Sequence, residues 1–322
     1  TASYISITKR IDAITLIPTE RMQTYLPPPK SVKIELTGRC NYRCSFCALA
    51  VRDKQPTKDM DLSFFKRITQ EMRDAGVVEI GVFFIGESFL CPELLIDSIL
   101  YLKRELSFPY VFLTSNASLA TPKLCAAVMN AGLDSLKWSV NSSNEDDFVR
   151  VMKVKPALFH KGVQNIKDAY KVREHLHAKT SLYASSIRYD GEQQEKMESF
   201  LTTHIRPYVD EHYWLPLYSM GSFATAREEA LGYRPTAGNQ GRLDALRPPL
   251  PCWSAFTEGH VTSSGQLSAC CFDASDNWSM ANLHDTPFLE AWNSAAFQEL
   301  RRRHLSRDVT GTACEKCAAY QG

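Results

Sequence analysis

Three thiols crowd into eight positions of this sequence. Cys40, Cys44 and Cys47 stand in "ELTGRCNYRCSFCALA", residues 35–50, with spacings of four and three. Deprotonated cysteines are soft ligands for zinc, copper(I) and iron–sulfur clusters. A site closed by four of them is structural or only carries electrons. Three leave one coordination position open, and an open position is where chemistry takes place. Read alone, such a run also fits part of a zinc site or a redox sensor. A second group comprises Cys252, Cys270, Cys271 and the Cys314-Glu315-Lys316-Cys317 run, so four thiolates are available there with one to spare. Zinc uses similar spacings. Adjacent strand residues point to opposite faces, so Cys270 and Cys271 are not expected to serve one centre together. The spare thiol, Cys271, is expected to pack as a small apolar side chain. Cys91 and Cys125 stand apart and read as core or helix residues.

These residues need elements to hold them. "SVKIEL", "VVEIGVFFI", "YVFLTS", "SLKWSV" and "KTSLYASSIRY" read as strands, with a sixth near "EHYWLPLY". Between them "LSFFKRITQEMRDAG" (ending at Gly76), "LLIDSILYLKREL", "TPKLCAAVMNAG" and "ALFHKGVQNIKDAYKVREHLH" read as helices. That alternation predicts an α/β fold, a full or partial (β/α)6 barrel, with chemistry at the C-terminal ends of the strands. The cysteine triplet follows the first strand directly. Residues 222–249 turn to Gly, Pro and charge and read as a linker. Beyond them "HVTSSGQLSACCF" predicts a hairpin turning at Ser264–Gly265, and "PFLEAWNSAAFQELRRRHL" one amphipathic helix. The expected division is an N-terminal extension (1–30), a barrel (31–221), the linker (222–249) and a small α+β domain (250–322).

With 37 Lys and Arg against 36 Asp and Glu, the chain of 322 residues is nearly neutral. Nothing in that balance points to nucleic acid or an anionic membrane as partner. No long apolar run or signal peptide is read, so the expected location is the cytoplasm, where clustered cysteines favour metal over disulfides.

At this point the sequence resembles the radical S-adenosylmethionine superfamily. The resemblance rests on Cys40-Asn41-Tyr42-Arg43-Cys44-Ser45-Phe46-Cys47, that family's C-x3-C-x2-C motif with an aromatic before the third Cys. It implies a [4Fe–4S] cluster whose open iron is chelated by the amino and carboxylate groups of S-adenosylmethionine. An electron from the cluster then cleaves the sulfonium, and the 5′-deoxyadenosyl radical abstracts hydrogen. Phe46 would pack near the adenine. "FFIGESFL" resembles the Gly-Gly-Glu-Pro segment after the second strand, which makes Gly86 and Glu87 the receivers of the methionine ammonium; a carboxylate suits a cation. The segment departs from the family form at Ile85 and Ser88. "FLTSNASL" resembles the segment after the third strand, with Ser115 and Asn116 as ribose contacts. "LKWSVNSS" resembles the fourth, with Ser139 on the ribose or carboxylate. Lys153 falls near a position where relatives often carry Arg; it lacks the bidentate fork and is left unassigned.

"GQLSACCFD" and the region through "CEKC" resemble the C-terminal SPASM/twitch extension of a subset of this superfamily. Five cysteines imply the shorter, one-cluster form, with Cys252, Cys270, Cys314 and Cys317 holding one auxiliary [4Fe–4S] cluster. The spacing is similar to that of 2-deoxy-scyllo-inosamine dehydrogenases. By likeness to radical epimerases of sugars or peptides, Cys271 becomes a hydrogen-atom donor.

The resulting expectation is an oxidoreductase of natural-product biosynthesis that dehydrogenates or epimerises a small sugar or aminocyclitol. Its reducing partner would be a flavodoxin or ferredoxin. The alternative is epimerisation or crosslinking of a ribosomally made peptide; no separate peptide-binding domain is read at the N-terminus, which favours the small molecule. A third class, an electron carrier, gains nothing from an open iron. Pocket candidates are Tyr183, Ser185, Arg188, Tyr213, Trp214, Tyr218 and Glu258.

Overall fold

The computed structural model describes residues 6–52, 54–189 and 191–317. The chain opens with helix α1 (Ile7–Thr15) and strand β1 (Ser31–Ile34), followed by the cysteine triplet. Then come α2 (Leu62–Ala75), β2 (Glu79–Gly81), α3 (Pro92–Leu100), β3 (Tyr110–Ser115), α4 (Pro122–Ala131) and β4 (Ser135–Ser139). Two helices in succession, α5 (Glu145–Met152) and α6 (Ala157–Leu176), lead to β5 (Ser181–Ile187), α7 (Glu192–His204) and β6 (Glu211–Leu215). A short α8 (Thr225–Ala230) precedes β7 (Glu258–Val261), β8 (Gln266–Ser268) and β9 (Ser279–Asn282); α9 (Phe288–Trp292) and α10 (Ala295–Leu305) follow.

Local signals explain most boundaries. Asp61 accepts the Phe64 N–H to start α2, and Gly76, at φ 106°, ends it in the left-handed conformation. Asn144 caps α5, whose first turn carries Glu145, Asp146 and Asp147, the sign a helix N-terminus favours.

The nine strands of the described residues form one open sheet in the order β6-β5-β4-β3-β2-β1-β7-β8-β9. Every neighbour from β6 through β1 to β7 is parallel, and β7-β8-β9 is antiparallel. This is the partial (β/α)6 barrel expected, and the β7–β8 hairpin turns over Thr262–Gly265 as expected. The docking of β7 beside β1 was not expected: Lys33 lies level with His260, so the cysteine-rich C-terminal part continues the barrel wall.

Side chains alternate across that wall. Val32, Ile34, Val111, Leu113, Leu136 and Leu182 enter the core between sheet and helices. Ser31, Lys33, Tyr183, Tyr213, Glu258 and His260 lie on the other, luminal face. Helix α1 closes the lower end of the lumen. Its N-terminal amides at Ile7 and Thr8 donate to the Glu211 carboxylate at 3.2 Å each. Its Arg10 reaches Glu79 at 2.6 Å and covers the Phe112 ring.

Three further differences have physical causes. Strand β2 is shorter than its apolar run, because the chain turns after Gly81 towards the site. The single helix expected over 287–305 is two. Asn293 breaks it by pairing with the Leu26 backbone, accepting its N–H and donating to its C=O at 2.8 Å each; Ser294 then starts α10. Residues 222–249 carry α8 and pack against the rest, with Arg242 paired to Asp12 at 2.8 Å. No helix among the described residues is long and apolar enough to cross a membrane.

Candidate active site

The cysteine triplet leaves the C-terminal end of β1 through Glu35, which sequence reasoning passed over. Glu35 is 2% exposed and clamps three strand ends. It accepts the Ile85 and Gly86 amides after β2 at 3.1 and 3.3 Å, and the Ser263 amide after β7 at 3.2 Å. The loop is then laid on the end of α5. Arg43 N–H donates to Met152 C=O at 3.1 Å, Ser45 N–H to Val151 C=O at 2.9 Å, and Cys44 Sγ lies 3.3 Å from Met152 Sδ.

The structure brings the predicted cofactor residues to one cavity of about 190 Å³. Cys40, Cys44, Cys47, Phe46, Gly86, Glu87, Ser115, Asn116 and Ser139 all line it. Gly86 is there because nothing larger fits: a Cβ would overlap the Thr37 carbonyl oxygen and lie 2.8 Å from that of Arg39. Glu87 N–H donates to the same Arg39 carbonyl at 2.8 Å.

The Glu87 carboxylate is 3% exposed and already holds three donors. Oε1 accepts Ser115 Oγ–H at 3.1 Å and the Phe89 amide at 3.2 Å; Oε2 accepts the Asn116 amide at 2.8 Å. Burial raises its pKa against those hydrogen bonds. Oε2 keeps capacity for a further donor, such as an ammonium. The Asn116 side chain is turned towards the cysteine loop, donating to Asn41 Oδ1 at 2.9 Å and accepting from Ser118 Oγ at 2.8 Å. Asn116 thus ties the β3 end to the triplet. Phe46 packs with Tyr42, Phe148 and Met152. Burial pushes the Cys40 thiol up to about 12 and raises Cys44 and Cys47 as well. Thiolates here call for bound cationic metal.

The second group also assembles. Cys252, Cys270, Cys314 and Cys317 line a small cavity with Asn239 and His304, two residues sequence reasoning missed. Cys252 N–H donates to His304 Nδ1 at 3.0 Å, so the proton of the neutral ring sits on Nε2, which faces Cys314 Sγ at 3.3 Å. Burial drops His304 to about 4, keeping it neutral. Among the described residues no three His, Cys, Asp or Glu side chains converge as they would on a single metal ion. Four thiols line one cavity and three the other, the ligand type that iron–sulfur clusters use.

Cys271 sits apart from its neighbour. Strand β8 ends at Ser268, so strand alternation does not govern the pair. Both sulfurs lie within reach of Asn239 Nδ2, at 3.8 Å for Cys270 and 3.3 Å for Cys271. Cys271 does not line the four-cysteine cavity. Its thiol pKa is drawn down by the Cys270 thiol and, against burial, by Lys33 and His260. Cys91 and Cys125 are buried as expected.

The pocket candidates divide. Tyr183 and Tyr213 pack against Ile7 of α1 low in the lumen. Trp214 joins the outer core and carries Arg188 over its ring at 5.4 Å. Tyr218 Oη donates to Gly241 C=O at 2.5 Å. Glu258 pairs with Lys33 at 2.9 Å. Ser185 is buried on the luminal face of β5.

Residues 34–182 match the model of the Radical SAM superfamily, and residues 252–318 match SPASM, an iron–sulfur cluster-binding domain. The chain belongs to the radical S-adenosylmethionine superfamily. As a SPASM-subgroup member it is an enzyme that uses S-adenosylmethionine, a [4Fe–4S] cluster and auxiliary iron–sulfur binding. It is 22% identical to the PqqA peptide cyclase of Xanthomonas axonopodis pv. citri over 90% of this chain and 80% of that one. A similar cyclase from Gluconobacter oxydans is 28% identical over 40% of this chain, which spans 35% of the relative's length. Among solved structures, Streptococcus suis SuiB bound to precursor peptide SuiA superposes with TM-score 0.64 at 15% identity, covering 92% of this chain and 71% of that one. BtrN in complex with AdoMet and 2-DOIA gives 0.57 at 15% identity, covering 89% and 92%.

Proposed function

We propose that this radical S-adenosylmethionine enzyme forms a crosslink within a ribosomally made peptide. One observation carries the reading. Peptide cyclases align over nine-tenths of the chain in sequence, whereas the likeness to BtrN, solved in complex with AdoMet and 2-DOIA, is one of fold at 15% identity. The small sugar or aminocyclitol therefore becomes the second reading, supported by that fold likeness over 92% of BtrN.

On this proposal Cys40, Cys44 and Cys47 hold the catalytic cluster, and S-adenosylmethionine occupies the adjoining cavity. The group supplies a 5′-deoxyadenosyl radical that takes hydrogen from a C–H bond. Glu87, with an accepting position left on Oε2, receives the methionine ammonium. Phe46 borders the adenine, while Ser115, Asn116 and Ser139 line the ribose side. Cys252, Cys270, Cys314 and Cys317 hold one auxiliary [4Fe–4S] cluster, with Asn239 and His304 directed at their sulfurs. A closed four-thiolate site suits electron acceptance, which a crosslink needs and an epimerisation does not. Cys271 would return a hydrogen atom if the peptide were instead epimerised.

The test is mass spectrometry of candidate precursor peptides, taken from short reading frames beside the gene. Each is incubated with reduced, cluster-loaded enzyme and S-adenosylmethionine in D2O. Loss of two hydrogens supports crosslinking. Uptake of one deuterium at an α-carbon would mean epimerisation. Oxidation of an aminocyclitol, with no peptide changed, would favour the second reading.

A further inference from the structure

One buried histidine in the lumen belongs to neither thiol group. His260 is 0% exposed, on β7, level with Lys33 on β1. Its Nε2 faces the Glu258 carboxylate at 3.2 Å. Glu258 also accepts Ser31 Oγ–H at 2.9 Å and pairs with Lys33 at 2.9 Å. Burial works to raise the Glu258 pKa, but the Lys33 ammonium holds it well below the usual carboxylate range. An ionised carboxylate only accepts, so Nε2 carries the imidazole proton and Nδ1 keeps its lone pair. Nδ1 is buried with no hydrogen-bond partner among the described residues. Such an atom in a polar lumen calls for an explanation.

Its position supplies one. Phe84, which lines the cofactor cavity, stacks on the His260 ring at 6.0 Å. Trp253, directly after Cys252, meets it edge-on at 6.3 Å. His260 thus stands between the two thiol groups. The charged and titratable groups around it are Lys33 from β1, Glu258 from β7, and Cys271 beyond β8; Arg10 of α1 acts on Glu258 from below.

We propose that His260 is the base that accepts the proton released when the substrate radical is oxidised. The inference rests on the crosslinking reaction proposed above. Hydrogen-atom transfer to the 5′-deoxyadenosyl radical leaves one unpaired electron on the substrate carbon. A new bond then forms between that carbon and an acceptor carbon, and the acceptor's own C–H bond breaks. One proton and one electron must depart. The proton goes to His260 Nδ1, and the electron to an oxidised auxiliary iron–sulfur centre. The imidazolium so formed keeps its Nε2–H on Glu258, which stabilises it and fixes the ring; Glu258 is a positioning residue.

Two measurements test this. The first needs no substrate: long-range ¹H–¹⁵N spectra of histidine-labelled oxidised holoenzyme, with the His260 signals assigned by loss in His260→Gln. Protonated Nε2 and bare Nδ1 are expected; an Nδ1–H tautomer overturns the proposal. The second uses the peptide found modified in the D2O assay. His260→Gln should raise the ratio of 5′-deoxyadenosine to crosslinked peptide at least tenfold, a ratio that a misfolded protein does not yield. An unchanged ratio overturns the proposal. If no peptide is crosslinked by wild-type enzyme, the peptide reading fails, and the tautomer measurement still decides whether His260 offers a lone pair.

Discussion

Replacing Gly86 by Ala tests how the site is assembled. The added Cβ would overlap the Thr37 carbonyl oxygen and come within 2.8 Å of the Arg39 carbonyl oxygen. Both are backbone atoms, so neither can rotate away, and the loop after β2 must move off the loop leading to Cys40. Three hydrogen bonds cross that boundary: Glu87 N–H to Arg39 C=O at 2.8 Å, and the Ile85 and Gly86 amides to Glu35 at 3.1 and 3.3 Å. A neutral bond contributes about 1 kcal/mol and bonds to a carboxylate about 1.5–3 kcal/mol each. Their loss, with Glu35 left buried and under-bonded, costs roughly 4–7 kcal/mol, a large share of the about 5–15 kcal/mol that holds a domain. Thermal unfolding, iron content and 5′-deoxyadenosine release read the outcome. Gly86→Ala should unfold at clearly lower temperature and release little 5′-deoxyadenosine. A variant with wild-type melting, iron and turnover would refute the close-approach argument.

Three other outcomes follow from named contacts. Glu87→Gln removes the charge proposed to meet the methionine ammonium and turns an amide donor towards donors from Ser115, Phe89 and Asn116. S-adenosylmethionine affinity by equilibrium dialysis should fall roughly 10–100-fold, the equivalent of about 1.5–3 kcal/mol. Cys252→Ala should halve iron, from about eight to about four atoms per chain for two cubes, while one bound zinc per wild-type chain would reject the auxiliary cluster. His212, half-buried beside Trp214 and hydrogen-bonded to Ser186, is lowered by desolvation from 6.5 to about 4. The unfolded chain therefore binds the proton first as pH falls, so this stability is present above pH 6.5 and is lost on descent towards 4. From pH 7 to 5 it amounts to about 2 kcal/mol, and His212→Gln should flatten that part of the denaturant-measured pH profile.

Much of this architecture was readable because its causes are local. Alternating apolar runs mark the six strands, Gly76 ends α2, and the triplet sits directly after β1. What was missed depends on partners far along the chain. Helix α1 owes its N-terminal anchor to Glu211, and the break at Asn293 to the backbone of Leu26, 267 positions away. The parallel pairing of β7 with β1 leaves no mark in either segment. Cys270 lines the four-cysteine cavity and Cys271 does not, yet β8 stops before both, so strand alternation is not what separates them. Within the sites, Glu35, Asn239, His260 and His304 are single polar residues without a motif. Only the fold shows what each one touches. A charged residue ending an apolar strand, as Glu35 does, was the one available hint.

The central claim is that three thiols and an adjoining cavity make a radical-generating centre. It is tested most directly by anaerobically reconstituting wild-type protein and the Cys40→Ala/Cys44→Ala/Cys47→Ala variant, reducing both with dithionite and adding S-adenosylmethionine. Wild type should release 5′-deoxyadenosine and methionine in equal amounts. The variant should retain auxiliary iron but release neither. Fully iron-loaded wild type that yields no 5′-deoxyadenosine, or a triple variant that yields as much, would contradict the account.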